Sequence, residues 1–370
     1  MRIAEIFARV ETKRFERPPR NPRSTWNEKN TLLVFVVADD GTVGVGEVWC
    51  EAISPRTLAT FLDEDLAPHL RDADVEDMQR LWRTAYERSF VSAKPGLTLS
   101  VLGAVETAVW DLVARAHRRP LHRLLGSFTD RVPAYASGGL YADDKTPSDL
   151  GREMSGFVEQ GFRAVKMKVA GAALPEDVAR VAAVREAVGP EVRLMVDAVY
   201  MLDEAAALRM ARAFERYDVW FLEAPLAPND LPGLRRLTAR SPIPIAGNEV
   251  AFGLDAYRDL IVEGGVHVVH LDVNQCGGIG EARRIAALAA AFHRPVSFHC
   301  ATSAVCFAAN LQVAASVANA ESIEWHAVHR MLFDRVPVDR FRIEGGAIIL
   351  PDAPGIGVEI DPSSLADPLA

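Results

Sequence analysis

From Val192 onward the chain repeats one pattern: a short apolar run, then a carboxylate, then a helical stretch. Val192–Val196, Val219–Leu222 and Ile243–Ala246 run into Asp197, Glu223 and Glu249. The stretches between them, such as Glu204–Phe214, carry Ala, Leu and Met on one face and Arg on the other, which predicts helices. The acids stand 26 residues apart both times, about one strand, loop, helix and return loop. Such βα units with right-handed crossovers predict a parallel sheet, and one that closes into a barrel gathers its strand ends on one rim.

The pattern extends both ways. Val132–Ser137 is read as the first barrel strand, Leu150–Gln160 as the helix after it and Phe162–Val169 as the second strand. Residues two apart on a strand share a face, so Lys166 and Lys168 point one way and Val165, Met167 and Val169 the other. Facing inward, they place two ammonium groups in the barrel mouth; a register slip of one residue would turn both out. Beyond Glu249, Val266–Leu271 ends at Asp272, Pro295–Phe298 at His299 and Ser322-Ile323 at Glu324, while the Gly- and Pro-rich Gly345–Pro354 is expected to close the barrel. Upstream, residues 3–10, Thr31–Ala38 and Val43–Trp49 predict an antiparallel meander that turns at Asp39-Asp40-Gly41. Helical patterns follow over Thr57–Glu87 and Gly103–Ala116, with Gly126 as a stop near a domain junction.

Composition narrows the picture. A chain of 370 residues, 49% of them hydrophobic, accommodates a barrel and a smaller partner domain. There is no uncharged apolar run long enough for a membrane span, and Arg2 and Glu5 interrupt the only apolar start, so a soluble cytoplasmic protein is expected. The four cysteines, Cys50, Cys276, Cys300 and Cys306, have no zinc-like pairing and are expected to be reduced thiols. A net charge of −9 argues against nucleic acid and for a small-molecule partner. One basic stretch stands out: Lys13–Lys29 holds Lys13, Arg14, Arg17, Arg20, Arg23 and Lys29 against Glu16 and Glu28, with Trp26 among them. It is either a solvated excursion or a lid over an anionic ligand, in which Arg20, Arg23 and Trp26 are the candidate contacts.

Each rim residue alone has a bland reading: Asp197 as a helix cap, His299 as a core imidazole, Glu324 as half of an ion pair. All of them at one end of one barrel make those readings poor. Three carboxylates in a ring suit Mg²⁺, and no Cys or His is read as favouring zinc. A cation with Lys166 beside it can stabilise a substrate carboxylate as its α-proton leaves. Lys168, near Lys166 and the cation, is expected to have a lowered pKa and serve as a base, while Asp272 holds His299 in one tautomer as a second acid–base group.

With these residues assembled, the chain resembles the mandelate racemase subgroup of the enolase superfamily, whose Lys or His base with Mg²⁺ is a general pattern. The resemblance spans nearly the whole chain and rests on Lys166-Met167-Lys168, on Asp197, Glu223 and Glu249, on Asp272 with His299, and on Glu324. It implies an α/β fold, a modified TIM barrel (β/α)7β over 127–345, with an N-terminal α+β capping domain over 1–126 completed by a tail over 346–370. It further implies one Mg²⁺ per subunit on Asp197, Glu223 and Glu249, opposed acid–base groups Lys168 and His299, Asp272 orienting His299, and Lys166 and Glu324 on the substrate carboxylate. The muconate-lactonising subgroup would place a lysine at Asp272. The implied reaction is dehydration of a sugar acid to a 2-keto-3-deoxy acid; racemisation or epimerisation of a 2-hydroxy acid and opening of a sugar lactone start from the same enolate. A ligand-binding barrel without catalysis is the remaining alternative. Val199 and Val250 stand where many relatives have polar residues, which leaves the reading of substrate hydroxyls to the loops Lys13–Lys29 and Trp49–Pro55. The resemblance also implies a homo-oligomer, a dimer or an octamer.

Overall fold

Three antiparallel strands open the computed structural model, which describes residues 1–51, 53–90, 96–337 and 340–370, without the side chains of 89 and 90. They are β1 (Ile3–Arg14), β2 (Glu28–Ala38) and β3 (Val43–Val48), in that order in the sheet. β1 and β2 pair as far as Arg14 with Glu28, so Lys13, Arg14 and Lys29, expected in an irregular loop, belong to strands and only the span between them is loop. Continued alternation across the pair outweighs the local charge there: Lys29 turns inward and is buried while Arg14 stays exposed.

The helix Leu97–Ala116 lies against this sheet, longer at its start than the expected Gly103–Ala116 and enclosed on almost every side. Gly44 and Gly46 permit the approach, since a Cβ on either would lie 2.0 Å from the Ala108 or Ala104 carbonyl oxygen. Leu102, Val105, Val109 and Leu112 interlock there with Leu32, Val34 and Val36. By length and composition the helix could cross a membrane, but 83% of its apolar window is buried inside the protein. Thr57–Glu87, expected helical throughout, is broken into short pieces followed by the helix Met78–Phe90.

Eight parallel strands then close on themselves: β4 (Arg131–Gly138), β5 (Ala164–Lys168), β6 (Arg193–Asp197), β7 (Val219–Glu223), β8 (Ile245–Gly247), β9 (Val268–Leu271), β10 (Val296–Phe298) and β11 (Ala320–His326). A helix follows each of the first seven, so the barrel is (β/α)7β. Caps mark several starts: Thr146 and Asp149 form a reciprocal capping box, and Asp203, Asp230 and Ser303 accept from the first turn of their helices. Period two sorts the strands. Val165, Met167, Leu194, Val196 and Leu222 face the helices, whereas Tyr135, Met195, Phe221, Ala246 and Val268 fill the barrel interior.

Two expectations fail in detail. The barrel is closed by β11 pairing with β4, Ile323 to Ala134 through His326 to Ser137, and not by Gly345–Pro354. That segment supplies β13 (Ala347–Ile349), paired antiparallel with β12 (Arg342–Glu344) and with the start of β4. Glu324 also is not at a strand end, because β11 continues to His326. The tail returns to the first sheet, where the Val10 N–H donates to the Ala366 carbonyl at 2.9 Å.

Candidate active site at the barrel mouth

Parallel register brings the charged side chains together. Lys168 pairs with Asp197, and Asp197 with Glu223, on adjacent strands. Both lysines face inward, as the inward register predicts: Lys166 is fully enclosed and Lys168 nearly so. The Lys168 Nζ sits 2.5 Å from Asp197 Oδ2, and Lys166 Nζ donates to Glu223 Oε2 at 2.6 Å and lies 3.1 Å from Glu324 Oε1.

With Asp197 as its partner, Lys168 does not have the lowered pKa expected of it beside a cation. Burial pulls the Lys168 pKa down, but the Asp197 carboxylate, with Glu324 and Glu223 behind it, outweighs burial and the Lys166 charge and leaves it raised. Lys166 is likewise lifted well above the usual amine range, because Glu223 and Glu324 outweigh its burial. Glu324 is held well below the carboxylate range, its burial overcome chiefly by Lys166 and His299.

Of the three expected ligands, Asp197 is paired with Lys168, and among the described residues the ligand atoms of Glu223, Glu249 and His270 lie within 4.8 Å of one another, a histidine the sequence reading did not include. His270 Nδ1 is 3.1 Å from Glu223 Oε1 and 3.7 Å from Glu249 Oε2. Burial opposes the charged imidazole, but Glu223 and Glu249 lift its pKa to about 9. The residues present fit a divalent cation: Glu249 Oε2 is enclosed without a hydrogen-bond partner, and ligand atoms of Glu223, Glu249 and His270 lie within 4.8 Å of one another. His270 was missed although its signal was in the chain, since it stands two residues before Asp272 and so shares its inward face.

Across the mouth, Asp272 is fully enclosed and its Oδ2 lies 2.8 Å from His299 Nδ1. Burial would lower the His299 pKa, but the Asp272 hydrogen bond and the Glu324 and Glu249 charges leave it raised. Lys168, His299, Asp197 and Glu249 all reach one cavity of about 350 Å³. Lys166 and Glu324, expected to touch substrate, do not line it; they form the buried pair beneath.

The cap supplies the roof. Arg23 and Trp26 line the cavity, with Trp49 and Glu51 from the next loop, whose Ala52 lies outside the described residues. Arg20 does not; its guanidinium lies over the Tyr141 ring at 5.4 Å and its backbone pairs with Tyr141, so it pins the loop to the barrel. Lys29 is paired with Glu51 at 2.7 Å and stands over Trp26. Two further lining residues, Tyr200 and His326, were not anticipated. Val199 and Tyr200 both have positive φ, 48° and 61°, and the turn held by Val199 N–H to Asp197 Oδ1 at 2.8 Å brings the Tyr200 hydroxyl beside Glu249. His326, two residues beyond Glu324, lines the cavity and stacks at 4.0 Å on the buried His329.

Both parts of the chain match known protein families. Residues 3–126 match the mandelate racemase / muconate lactonizing enzyme N-terminal domain, and residues 149–364 the enolase C-terminal domain-like family. The arabinonate dehydratase of Saccharolobus solfataricus is 32% identical over 327 residues, 88% of this chain and 87% of that one. The 3,6-anhydro-alpha-L-galactonate cycloisomerase of Streptomyces coelicolor is 32% identical over 331 residues, 89% of each chain. Among solved structures, a racemase from Streptomyces coelicolor A3(2) with bound magnesium superposes with a TM-score of 0.90 at 29% identity, over 98% of both chains.

Proposed function

Since this chain belongs to the mandelate racemase/muconate lactonizing enzyme subgroup of the enolase superfamily, we propose that it removes the proton α to a carboxylate and then eliminates water from a sugar acid, giving a 2-keto-3-deoxy acid. That it is an enolase-superfamily enzyme, a dehydratase or an isomerase with a divalent metal site, follows from the family and the Glu223, Glu249 and His270 cluster. The observation that carries the finer reading is the shared cavity: Lys168 and His299 open onto the same space as Asp197 and Glu249.

In this reading Asp197, Glu223 and Glu249 would hold one Mg²⁺ per subunit, with His270 beside them in an ion pair with Glu223. The cation supplies positive charge for the substrate oxygen on which negative charge develops. Lys168 and His299 act as the two proton-transfer groups. Once Asp197 is engaged elsewhere, Lys168 loses the carboxylate that holds its pKa up, and burial with Lys166 nearby then favours the free amine. The Asp272 carboxylate keeps the His299 proton on Nδ1, so that Nε2 faces the substrate and, once protonated, assists departure of the C3 hydroxyl. Lys166 and Glu324 polarise the substrate carboxylate through their charges from behind the cavity wall. Trp26 and Arg23 close the site, whereas Arg20 acts through the loop. The cap over 1–126, the barrel over 127–345 and the tail over 346–370 belong to the same proposal, as does assembly into a dimer or octamer, checked by sedimentation.

A second reading is favoured by Val199 and Val250, which make one side of the cavity apolar and suit a less hydroxylated lactone. Proton NMR in D₂O with Mg²⁺ and a panel of mono- and diacid sugars and their lactones separates the readings. A new C3 methylene signal is the expected result. Consumption of a lactone to an open-chain product would establish the cycloisomerase, and loss of the C2 proton signal alone would establish a racemase or epimerase. No change with any compound would refute the substrate class.

A further inference from the structure

Asp272 receives more than the imidazole it holds. Its Oδ1 accepts from the Asn274 N–H at 2.9 Å and from Asn310 Nδ2 at 3.2 Å, and Cys306 Sγ lies 3.6 Å away. Asn310 sits in the fully buried helix Ala304–Ala314, whose other residues are apolar except Gln312. A buried amide in such a helix costs stability unless every polar atom is paired. Here each one is: Oδ1 accepts from the Val273 N–H at 3.0 Å, and Nδ2 donates to Asp272 and to the Cys306 carbonyl at 3.1 Å. A backbone N–H can only donate and a carboxylate only accept, so the network dictates which end of the amide is oxygen.

From this geometry we infer that Asn310 is a positioning residue: it fixes the rotation of the Asp272 carboxylate and through it holds His299 as the Nδ1–H tautomer. Cys306 stands one helical turn before Asn310, on the same face. The helix that carries both is anchored by the cap. Glu47 of β3 accepts from Ser303 Oγ at 2.5 Å, from the Cys306 N–H at 3.0 Å and from the Ser303 N–H at 3.3 Å, closing the first turn. A continuous path of contacts therefore joins the cap sheet to the imidazole that faces the cavity. The significance of this positioning rests on the acid–base role proposed for His299, but its test needs no substrate.

The test is long-range ¹H–¹⁵N correlation on the full chain labelled with ¹⁵N-histidine, in Mg²⁺, with His299 assigned by its loss in His299→Asn. In the wild type, above the His299 pKa, a single neutral form with the proton on Nδ1 is expected. In Asn310→Leu both tautomers should be populated and the His299 pKa displaced, and on any substrate found, kcat should fall by about 10- to 100-fold with KM nearly unchanged. Asn310→Ser, smaller and still polar, carries the same readout should the leucine variant fail to fold. A folded variant that keeps the single Nδ1–H form and the wild-type pKa overturns the inference. A locked tautomer in the wild type that loosens in the variants, together with no turnover of any sugar acid, would instead refute the proposed substrate class and leave Asn310 in its role.

Discussion

Raising the pH of the metal-free protein should weaken it through His270. The ring is fully enclosed between Glu223 and Glu249, and although burial pulls its pKa down, the two carboxylates lift it from 6.5 to about 9. A histidine whose folded pKa exceeds its unfolded value contributes stability that is complete below the unfolded pKa, 6.5, and is lost as the pH rises through about 9. At about 1.4 kcal/mol per unit, this displacement is worth about 3 kcal/mol. Glu249 records the same attraction from the other side. Against its burial, the facing His270 and His299 imidazolium charges pull it down to about 2, and adding the two shifts would count one interaction twice. The assay is urea unfolding in EDTA, followed by tryptophan fluorescence, at pH values below the unfolded pKa and above the folded one. Wild type should lose about 3 kcal/mol more across this window than His270→Gln. His299, also raised, contributes a slope of the same sign to both proteins, so the difference between them isolates His270. Excess Mg²⁺ should flatten the wild-type slope, because a divalent cation competes with the imidazolium for Glu223 and Glu249. Equal slopes in the two proteins, or a His270 NMR titration at or below the ordinary imidazole value, would refute the reasoning.

Toward low pH the sign reverses: burial, with the nearby lysine charges, holds His326 and His329 neutral well below the usual range, so their contribution is present above 6.5 and lost as the pH falls, and His326→Phe should reduce that acid-side loss in the same urea series. Lys166→Met leaves Glu223 and Glu324 buried without their cation and should cost about 3–5 kcal/mol in urea midpoints taken in EDTA; a loss under about 1 kcal/mol would mean that the pair contributes little. His299→Asn and Lys168→Ala should each lower turnover by about 10²- to 10⁴-fold while calorimetric Mg²⁺ affinity stays near wild type; turnover retained in both variants would remove them from the chemistry. Gly46→Ala drives a Cβ into the Ala104 carbonyl, and a loss of at least about 1–3 kcal/mol in thermal or urea unfolding is expected, whereas a neutral effect would show that the helix can shift away.

Much of the barrel was legible because its signal is local. Apolar runs ended by acids at a spacing of 26 residues locate β6 and β7 to within a residue, and Glu204–Phe214 is the observed helix. Period two also placed both lysines on the inward face. The same rule, applied two residues before Asp272 and two after Glu324, points at His270 and His326, yet a lone histidine carries no charge label in a sequence and was passed over. Glu324 was misplaced at a strand end because each preceding run stops at its acid or histidine, whereas here Trp325 and His326 continue the strand and pair with Ala136 and Ser137 of β4.

The order of charged residues along the chain is enough to set the fold class, the barrel rim and the candidate acid–base groups, since each depends on strand periodicity and on a repeat length. Which charge neutralises which is a tertiary matter. Asp197 is drawn to Lys168 and Glu223 to Lys166 and His270 because barrel closure puts groups tens of residues apart within hydrogen-bonding distance inside a dry interior, where an unpaired charge is costly. The pKa of Lys168, the burial of Lys166 and Glu324, the diversion of Arg20 to Tyr141 and the clamp of Asn310 on Asp272 all follow from that enclosure, and no spacing along the chain encodes it.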